Sequence, residues 1–528
     1  MIEKFNDYSV SKETIMPIAV IEAVGVSSPK ELLTKKENCV SFADLPMARL
    51  EGKGSYVLLD FGKEICGSAR FIIRGCSADA KLRLIFGESV GEALSSIGQK
   101  GASNDHSQRD FEASVSVMSD LELGNTGFRF LKIENISENY IDLQNVFAIN
   151  NLPFFEKEMV IKTNDRKLNK IMETAIYTLK LCLQKGYIWD GIKRDRLVWA
   201  GDLHQEVKNS LYLFSDNLNV RNSLTFLRNC TSENKWMNNI PSYSAWWVIN
   251  LCDYLEYTGN KDFFEQNGDY TKAIFKRFNS CISKDGEMSF SADDMQFFLD
   301  WPTKDTEDAK IGTASIIILA AKKFLQIKEN KDCEEIIEKL KVYLKKECSF
   351  KQSKAFQILA GGEPDYKMLE KDGANGFSTF MAYYILTANV LSGGENSIEI
   401  IKEYFGAMLD KGATSFFEDF DMSWAKGSGR IDKKPSSRLK DIHGDFGKYC
   451  YKGYRHSLCH GWSSGVLAFI IESIFGIKYD GRTKAVSVTP HKTAPDFTVK
   501  LPIDSKWLKV TYKKGNLEIK APKGITIK

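Results

Sequence analysis

The chain has 528 residues, of which 43% are apolar and 27% charged, and a formal net charge of +3. That length is too great for one hydrophobic core and implies roughly three or four domains, each able to bury a core without staples. The small net charge, with lysine runs such as Lys345-Lys346 broken by Glu347, argues against nucleic acid as a partner.

Met1 to Val10 carries Glu3, Lys4, Asn6 and Asp7 and lacks the apolar run of a secretory signal. The longest apolar stretches, near Ile316–Ala321 and Val466–Ile471, fall well short of the about 18 to 20 residues that span a bilayer. A cytoplasmic protein without membrane contact is therefore expected. The eleven cysteines form no C-x-x-C pair and no metal spacing, which predicts reduced, buried thiols and no metal; nothing calls for a cofactor. Cys459 adjoins His460, but neighbouring residues rarely face each other, so a nucleophile–base pair is not expected there.

In chain order, residues 1–152 read as β structure. Tyr56–Phe61 ends at Gly62, Ala69–Ile73 precedes Gly75, and Lys81–Phe86 ends at Gly87; Phe111–Val117 alternates in part and Gly127–Ile133 alternates well. Short β-branched and aromatic runs separated by glycine predict hairpins, and five or more of them predict a β-sandwich. Beyond Pro153 the period changes. Leu168, Ile171, Ala175, Leu179 and Leu183 recur at threes and fours, with Asn164 or Asp165 as cap. Helical periods follow at Val207–Phe214, Trp247–Tyr257, Thr313–Ile327, Cys333–Lys346, Thr379–Leu391 and Trp462–Phe475. Helix after helix across residues 153–478, without a solenoid repeat, predicts paired helices closed into a toroid. In residues 479–528 the period returns to two at Ala485–Thr489, Trp507–Tyr512 and Leu517–Lys520, a small β-domain. The expected fold class is multidomain β + α.

The stretch from Trp189 to Glu206 carries the chemistry. It sets Asp190, Asp195, Trp199 and Asp202 at intervals of five, four and three, with Arg194 and Arg196 among them. If the part from Asp195 onward is helical, Asp195, Trp199 and Asp202 share an arc of roughly 60°. Acids beside an indole suit a sugar, because carboxylates bind hydroxyls and move protons while the indole packs on the apolar face of a pyranose. The plainer alternative makes Asp195 a helix cap, Trp199 core and the arginines surface partners. Aromatics at 12%, several beside acids, also lean towards carbohydrate.

These residues resemble the D-x4-E-x3-W-x2-D motif of the bacterial α-L-rhamnosidases, glycoside hydrolase family 78. Thr414-Ser415-Phe416-Phe417-Glu418 is similar to the family's T-x-x-x-E segment, and Ser457-Leu458-Cys459-His460 to its S-L-x-H segment. Asp60-Phe61-Gly62 and Gly127-Phe128-Arg129-Phe130 resemble strand motifs of the β-domain that precedes the family's (α/α)6 barrel. The likeness runs from about residue 50 to the C-terminus, without room for the extra β-domains and calcium-dependent module of longer members. It implies an N-terminal β-sandwich, a central (α/α)6 barrel, a small C-terminal β-domain and an inverting exo-glycosidase.

The resemblance makes Glu418 the general base and Asp195 the general acid, with carboxyls roughly 6.5 to 9.5 Å apart to admit water. Burial beside Trp199 and other carboxylates would help the acid hold its proton. Asp190, Asp202, Arg194 and His460 then bind sugar hydroxyls. Trp247 and the loop pair Asp300-Trp301 are candidate pocket walls, although Val248 and Leu251 also suit Trp247 to a core; His456 reads as structural and Glu206 as a supporting acid. One departure stands out: the acid position holds Asp195 where the family commonly has Glu. The expected substrate is a small carbohydrate or rhamnosylated glycoside. Another terminal sugar, and a catalytically degenerate carbohydrate-binding protein, are the alternatives, and homo-oligomer formation stays open.

Overall fold

The computed structural model describes residues 10–290, 295–448, 451–503 and 506–528. Apart from Val10, the N-terminal stretch read above as lacking a signal lies outside them. The protein is a mixed, multidomain fold in which sheets flank a long helical region.

The first region is one nine-stranded sheet. Its spine is a 21-residue strand, Tyr56–Cys76. Two runs that the sequence reading separates at Gly62 are thus a single element. Gly62 has φ 80° and sits where the register jumps between Asp60 and Ile65, so it works as a bulge rather than a hairpin turn. The first half pairs with Ala19–Val24 and the second with Ile141–Pro153, while Ser119–Asn135 spans both. Buried Val57, Leu59, Phe71, Leu84, Phe128 and Leu131 fill the core of the sheet.

The helices form broadly where the apolar period places them. The helix Arg166–Cys182 starts at Asp165, whose carboxylate accepts the Leu168 N–H at 2.9 Å. Pro241–Thr258, Glu307–Leu325 and Ala382–Leu391 contain the expected segments or overlap them, and Trp462–Phe475 resolves into 3-10, α and π turns. Among the described residues no helix is long and apolar enough to cross a membrane.

The C-terminal strands Ala485–Val488, Lys506–Lys513 and Asn516–Lys520 lie close to their expected places. The last two share a four-stranded sheet with Phe497–Ile503 that also recruits Val160–Thr163, from the stretch assigned above to the helical region, whereas Ala485–Val488 lies in a separate three-stranded sheet. Four residues with one buried side chain carry too little alternation to be read as a strand. The described cysteines are all free. Cys459 packs with Cys66, Leu181, Cys182 and Ile192 in a small apolar cluster, a structural setting.

Candidate active site

The site is built on a loop, not on a helical face. Between the strand Tyr187–Ile188 and the helix Leu203–Phe214 the chain folds back on Asp190. The Asp190 carboxylate accepts the Leu197 N–H at 2.9 Å and the Asp195 N–H at 3.3 Å, and the Asp190 N–H donates to Leu197 O at 2.9 Å. The Leu197 carbonyl, which a helix from Asp195 would need as an acceptor, is taken by Asp190, and Arg196 turns to φ 63°, which corrects the helical expectation. Asp195 caps nothing, and Asp202 occupies the N-cap position without a capping bond.

Two further segments are stitched to the loop through backbone. Gly461 N–H donates to Asp190 O at 2.6 Å, Glu418 N–H to Ser457 O at 2.9 Å and His460 N–H to Phe416 O at 3.1 Å. Close approach demands glycine at two joints. A Cβ on Gly191 would stand 2.4 Å from Arg194 O, and one on Gly461 would stand 1.9 Å from Glu206 Oε1.

Arg194 joins the two expected catalytic carboxylates. Its buried guanidinium donates from Nη2 to both oxygens of Glu418 at 2.8 Å and from Nη1 to Asp195 Oδ1 at 2.9 Å. One planar fork thus holds both groups, which limits the contacting oxygens to about 8 Å of each other, a bound that admits both inverting and retaining spacings. Glu418 is further fixed by the Ser457 N–H at 3.1 Å. Its backbone carbonyl accepts from Trp462 Nε1 at 2.7 Å and from the Thr379 hydroxyl.

His460 lies amid acids that it does not bond. Its Nε2 is 3.9 Å from Asp190 Oδ2, 3.9 Å from Asp202 Oδ1 and 3.8 Å from Glu418 Oε1. Those separations exceed a hydrogen bond and leave polar atoms facing one another. His460 Nδ1 and Glu206 Oε1 are buried without a hydrogen-bond partner among the described residues. Such a set is ready to accept the hydroxyls of a ligand.

Burial dominates the electrostatics. It lifts the Asp190 carboxyl to about 7, helped by Asp195 and opposed by the Leu197 and Gly191 N–H groups. It raises Asp202 and Glu206 well above the usual carboxylate range, with neighbouring acids adding to the effect. Burial and Arg194 push His460 down to about 3, so its imidazole is neutral at pH 7. Asp195 differs: its side chain is 21% exposed, and it contacts Arg194 and His106. The burial expected around Asp195 surrounds Asp190, Asp202 and Glu206 instead.

Of the expected walls, Trp199 is partly exposed and meets Tyr243 edge-on at 6.2 Å. Trp301 reaches the site through Tyr451, which touches Trp462, itself 4.5 Å from the His460 ring. Asp300 ends a short hairpin strand rather than lying in an open loop, and is buried with Ser378 Oγ donating to it at 2.6 Å. Trp247 is corrected to core: it is fully buried, with its indole N–H given to Leu224 O at 3.0 Å. His456 accepts the Asp419 N–H at 2.9 Å, a structural role. Beside Asp419 opens a cleft of about 550 Å³ bordered by Pro302, Ser378, Asp421, Trp424 and Phe446.

Several contributors escape sequence reasoning. Tyr243 donates to Asp202 Oδ2 at 3.1 Å. His106, from the sheet region, places Nε2 3.1 Å from Asp195 Oδ1. Beneath the loop, Lys193 Nζ lies 2.9 Å from Glu88 and 3.2 Å from Glu92 and donates to the carbonyls of Tyr454 and His456. Glu88, Glu92 and His443 lie near enough to share a cation, and the Lys193 ammonium already stands against both glutamates. No local spacing signals Tyr243, His106, Glu88 or Glu92, since each reaches the loop from another part of the chain, and Lys193, within the loop, gives no sign of the glutamates it meets.

The fold is that of the family 78 rhamnosidases. A GH78 rhamnosidase of Bacillus sp. GL1 superposes with a TM-score of 0.74 at 16% identity, over 95% of this chain and 55% of that one. The rhamnosidase from Klebsiella oxytoca with rhamnose bound gives 0.67 at 20% identity, over 88% and 96% of the two chains. The Streptomyces avermitilis α-L-rhamnosidase complexed with L-rhamnose gives 0.65 at 12%, over 89% and 48%. The chain therefore spans about half the length of the Bacillus and Streptomyces proteins and nearly all of the Klebsiella one. No protein-family model and no curated protein matches the sequence.

Proposed function

We propose that the protein is an exo-acting glycoside hydrolase that removes terminal α-L-rhamnose with inversion, on a β-sandwich, (α/α)6 barrel and C-terminal β plan divided at residues 152 and 478. The observation that carries this reading is the Arg194 bridge between Asp195 and Glu418 beside His460, which stands near Asp190 and Asp202 without bonding to either, on a rhamnosidase fold. Asp190, Asp202 and His460 bind the hydroxyls of the sugar, and Trp199 and Trp301 pack on its apolar faces. Glu418 takes a proton from water as that water bonds to the anomeric carbon. Asp195 gives its proton to the glycosidic oxygen as the bond from that oxygen to the anomeric carbon breaks. The cleft beside Asp419 supports a reading in which the departing group lies there.

The test is proton NMR of an aryl α-L-rhamnoside during its first minutes of hydrolysis. The β anomer of rhamnose should appear first and equilibrate later. First release of the α anomer would replace inversion with retention, and cleavage of a different aryl glycoside in its place would change the sugar.

A further inference from the structure

Asp195 is one methylene shorter than the glutamate common at its position in the family, and one of its oxygens is taken up by the protein. Oδ1 accepts from Arg194 Nη1 at 2.9 Å and lies 3.1 Å from His106 Nε2, an ion-pair contact without the alignment of a hydrogen bond. His106 belongs to the loop between the strands Lys81–Gly87 and Asp110–Ser114 of the nine-stranded sheet, far from the rest of the site in sequence.

That loop is built against the site. Ser107 Oγ donates to Lys193 O at 2.8 Å, and Asp105 is held by Arg455 Nε at 2.9 Å. Asn104 Oδ1 accepts the N–H groups of Arg109 and Asp110 at 3.1 Å. His106 itself has φ 68°, in the left-handed region that histidine enters more readily than most residues with a side chain. On the opposite side, Arg196 donates to Asn125 O and Oδ1 at 3.0 Å, a second tie between the catalytic loop and the sheet.

We infer that His106 is a positioning residue for the general acid, so that the N-terminal sheet completes the active site. The inference rests on the rhamnosidase reading above. Its imidazole holds Oδ1 and leaves Oδ2 to face the glycosidic oxygen. As Oδ2 gives up its proton, negative charge grows on the carboxylate, and the contacts from His106 Nε2 and Arg194 strengthen with it; the stabilisation is therefore larger in the transition state than before it. The charged groups around the ring are Asp195, Asp105 at 4.0 Å, and Arg196 across an open depression that both residues border.

The test compares His106→Ala with His106→Gln in the full chain on a nitrophenyl rhamnoside and a rhamnosyl disaccharide. Both variants meet the same backbone cost at a positive φ, so the difference between them reports the side chain. A nitrophenolate needs little protonation, whereas a sugar alcohol depends on it. His106→Ala should lower kcat on the disaccharide by about 10- to 100-fold and on the nitrophenyl substrate by less than about 3-fold, with KM within about 2-fold on both. His106→Gln, which keeps an N–H donor, should recover most of the loss. Equal losses on the two substrates, no loss, or a glutamine variant as slow as alanine would overturn the inference. Wild-type protein that cleaves neither rhamnoside would instead sink the functional reading, and this inference with it.

Discussion

Two clusters of buried acids lie along one helix, Leu203–Phe214, and their surroundings are opposite. At its N-terminal end Asp190, Asp202 and Glu206 are raised by burial and by one another, and His460 stands 3.8 to 3.9 Å from three carboxylates. Farther along, Glu472 accepts from Lys208 at 2.9 Å and from Tyr212 and Tyr383 at 2.7 Å, while Asp253 contacts His204 at 3.0 Å and pairs with Lys323. Burial would raise these two acids as well, yet Lys208 and Lys323 hold Asp253 well below the usual range, and Lys208 with the tyrosine hydroxyls lowers Glu472. The second cluster is closed by its own counter-charges. The first keeps acids together without enough cations, which costs stability and makes sense only where a ligand completes the set.

The sharpest way to break this contrast is to remove the proposed acid or base beside the open cluster and leave the closed one untouched. Asp195→Asn or Glu418→Gln should reduce turnover by roughly two to four orders of magnitude with the thermal transition intact, checked by steady-state kinetics beside calorimetry. Wild-type rates in both variants would leave the mechanism without its acid and base.

The closed cluster should respond in stability instead. Lys208→Met leaves Glu472 and Asp253 short of a buried partner and should cost about 3 to 5 kcal/mol in unfolding measurements, while kcat of the folded fraction stays near wild type. A large kcat loss at unchanged stability would join the two clusters into one functional unit.

A smaller effect is expected from Asp195→Glu. With Oδ1 already engaged by Arg194 and His106, a longer side chain drives the carboxyl out of its clamp. Activity should fall by about 10-fold, and more on a rhamnosyl disaccharide than on a nitrophenyl rhamnoside. Equal changes on both substrates would mean that Asp195 positions sugar, and the acid would have to be sought at Asp190, Asp202 or Glu206.

The smallest effects concern pH. Asp190, lifted to about 7 from an ordinary 3.8, contributes stability that is full below about pH 4 and is lost as pH rises through about 7. Glu206, also raised, acts in the same direction. Asp253 and Glu472 have lowered values, so their contribution is present above the ordinary carboxylate range and is lost as pH falls through their folded values. Glu206→Gln should therefore raise the melting temperature at pH 8 relative to wild type and change it less at pH 4. A larger gain at pH 4 would reverse the sign assigned to the open cluster.

How far the sequence discloses this arrangement depends on the range over which each feature is determined. The strand at Gly127–Ile133 and the apolar period after Asp165 are local signals and the structure forms both elements, although residues 127–131 are buried throughout rather than in alternation. Asp190, Arg194, Asp202, Glu418 and His460 were legible from motif order and do converge. The backbone that carries them was not, because the Asp190 N–H takes the Leu197 carbonyl and Arg196 turns to φ 63°, choices that helical spacing does not reveal. Trp247 was misplaced among pocket residues because an indole beside Trp246 looks alike in a core and in a sugar site; the deciding contact, Leu224 O, lies on another helix. His106 reaches Asp195 only through the packing of the sheet on the loop from Asp190 to Asp202, and no local pattern encodes that.

The most direct test of the open cluster is a crystal structure of Glu418→Gln with an intact rhamnoside soaked in. The sugar should fill the space around His460, its hydroxyls accepted by Asp190 and Asp202, with the glycosidic oxygen at Asp195 and the anomeric carbon facing residue 418. A rhamnoside bound elsewhere, with His460 and its acids still empty of sugar, would contradict the account.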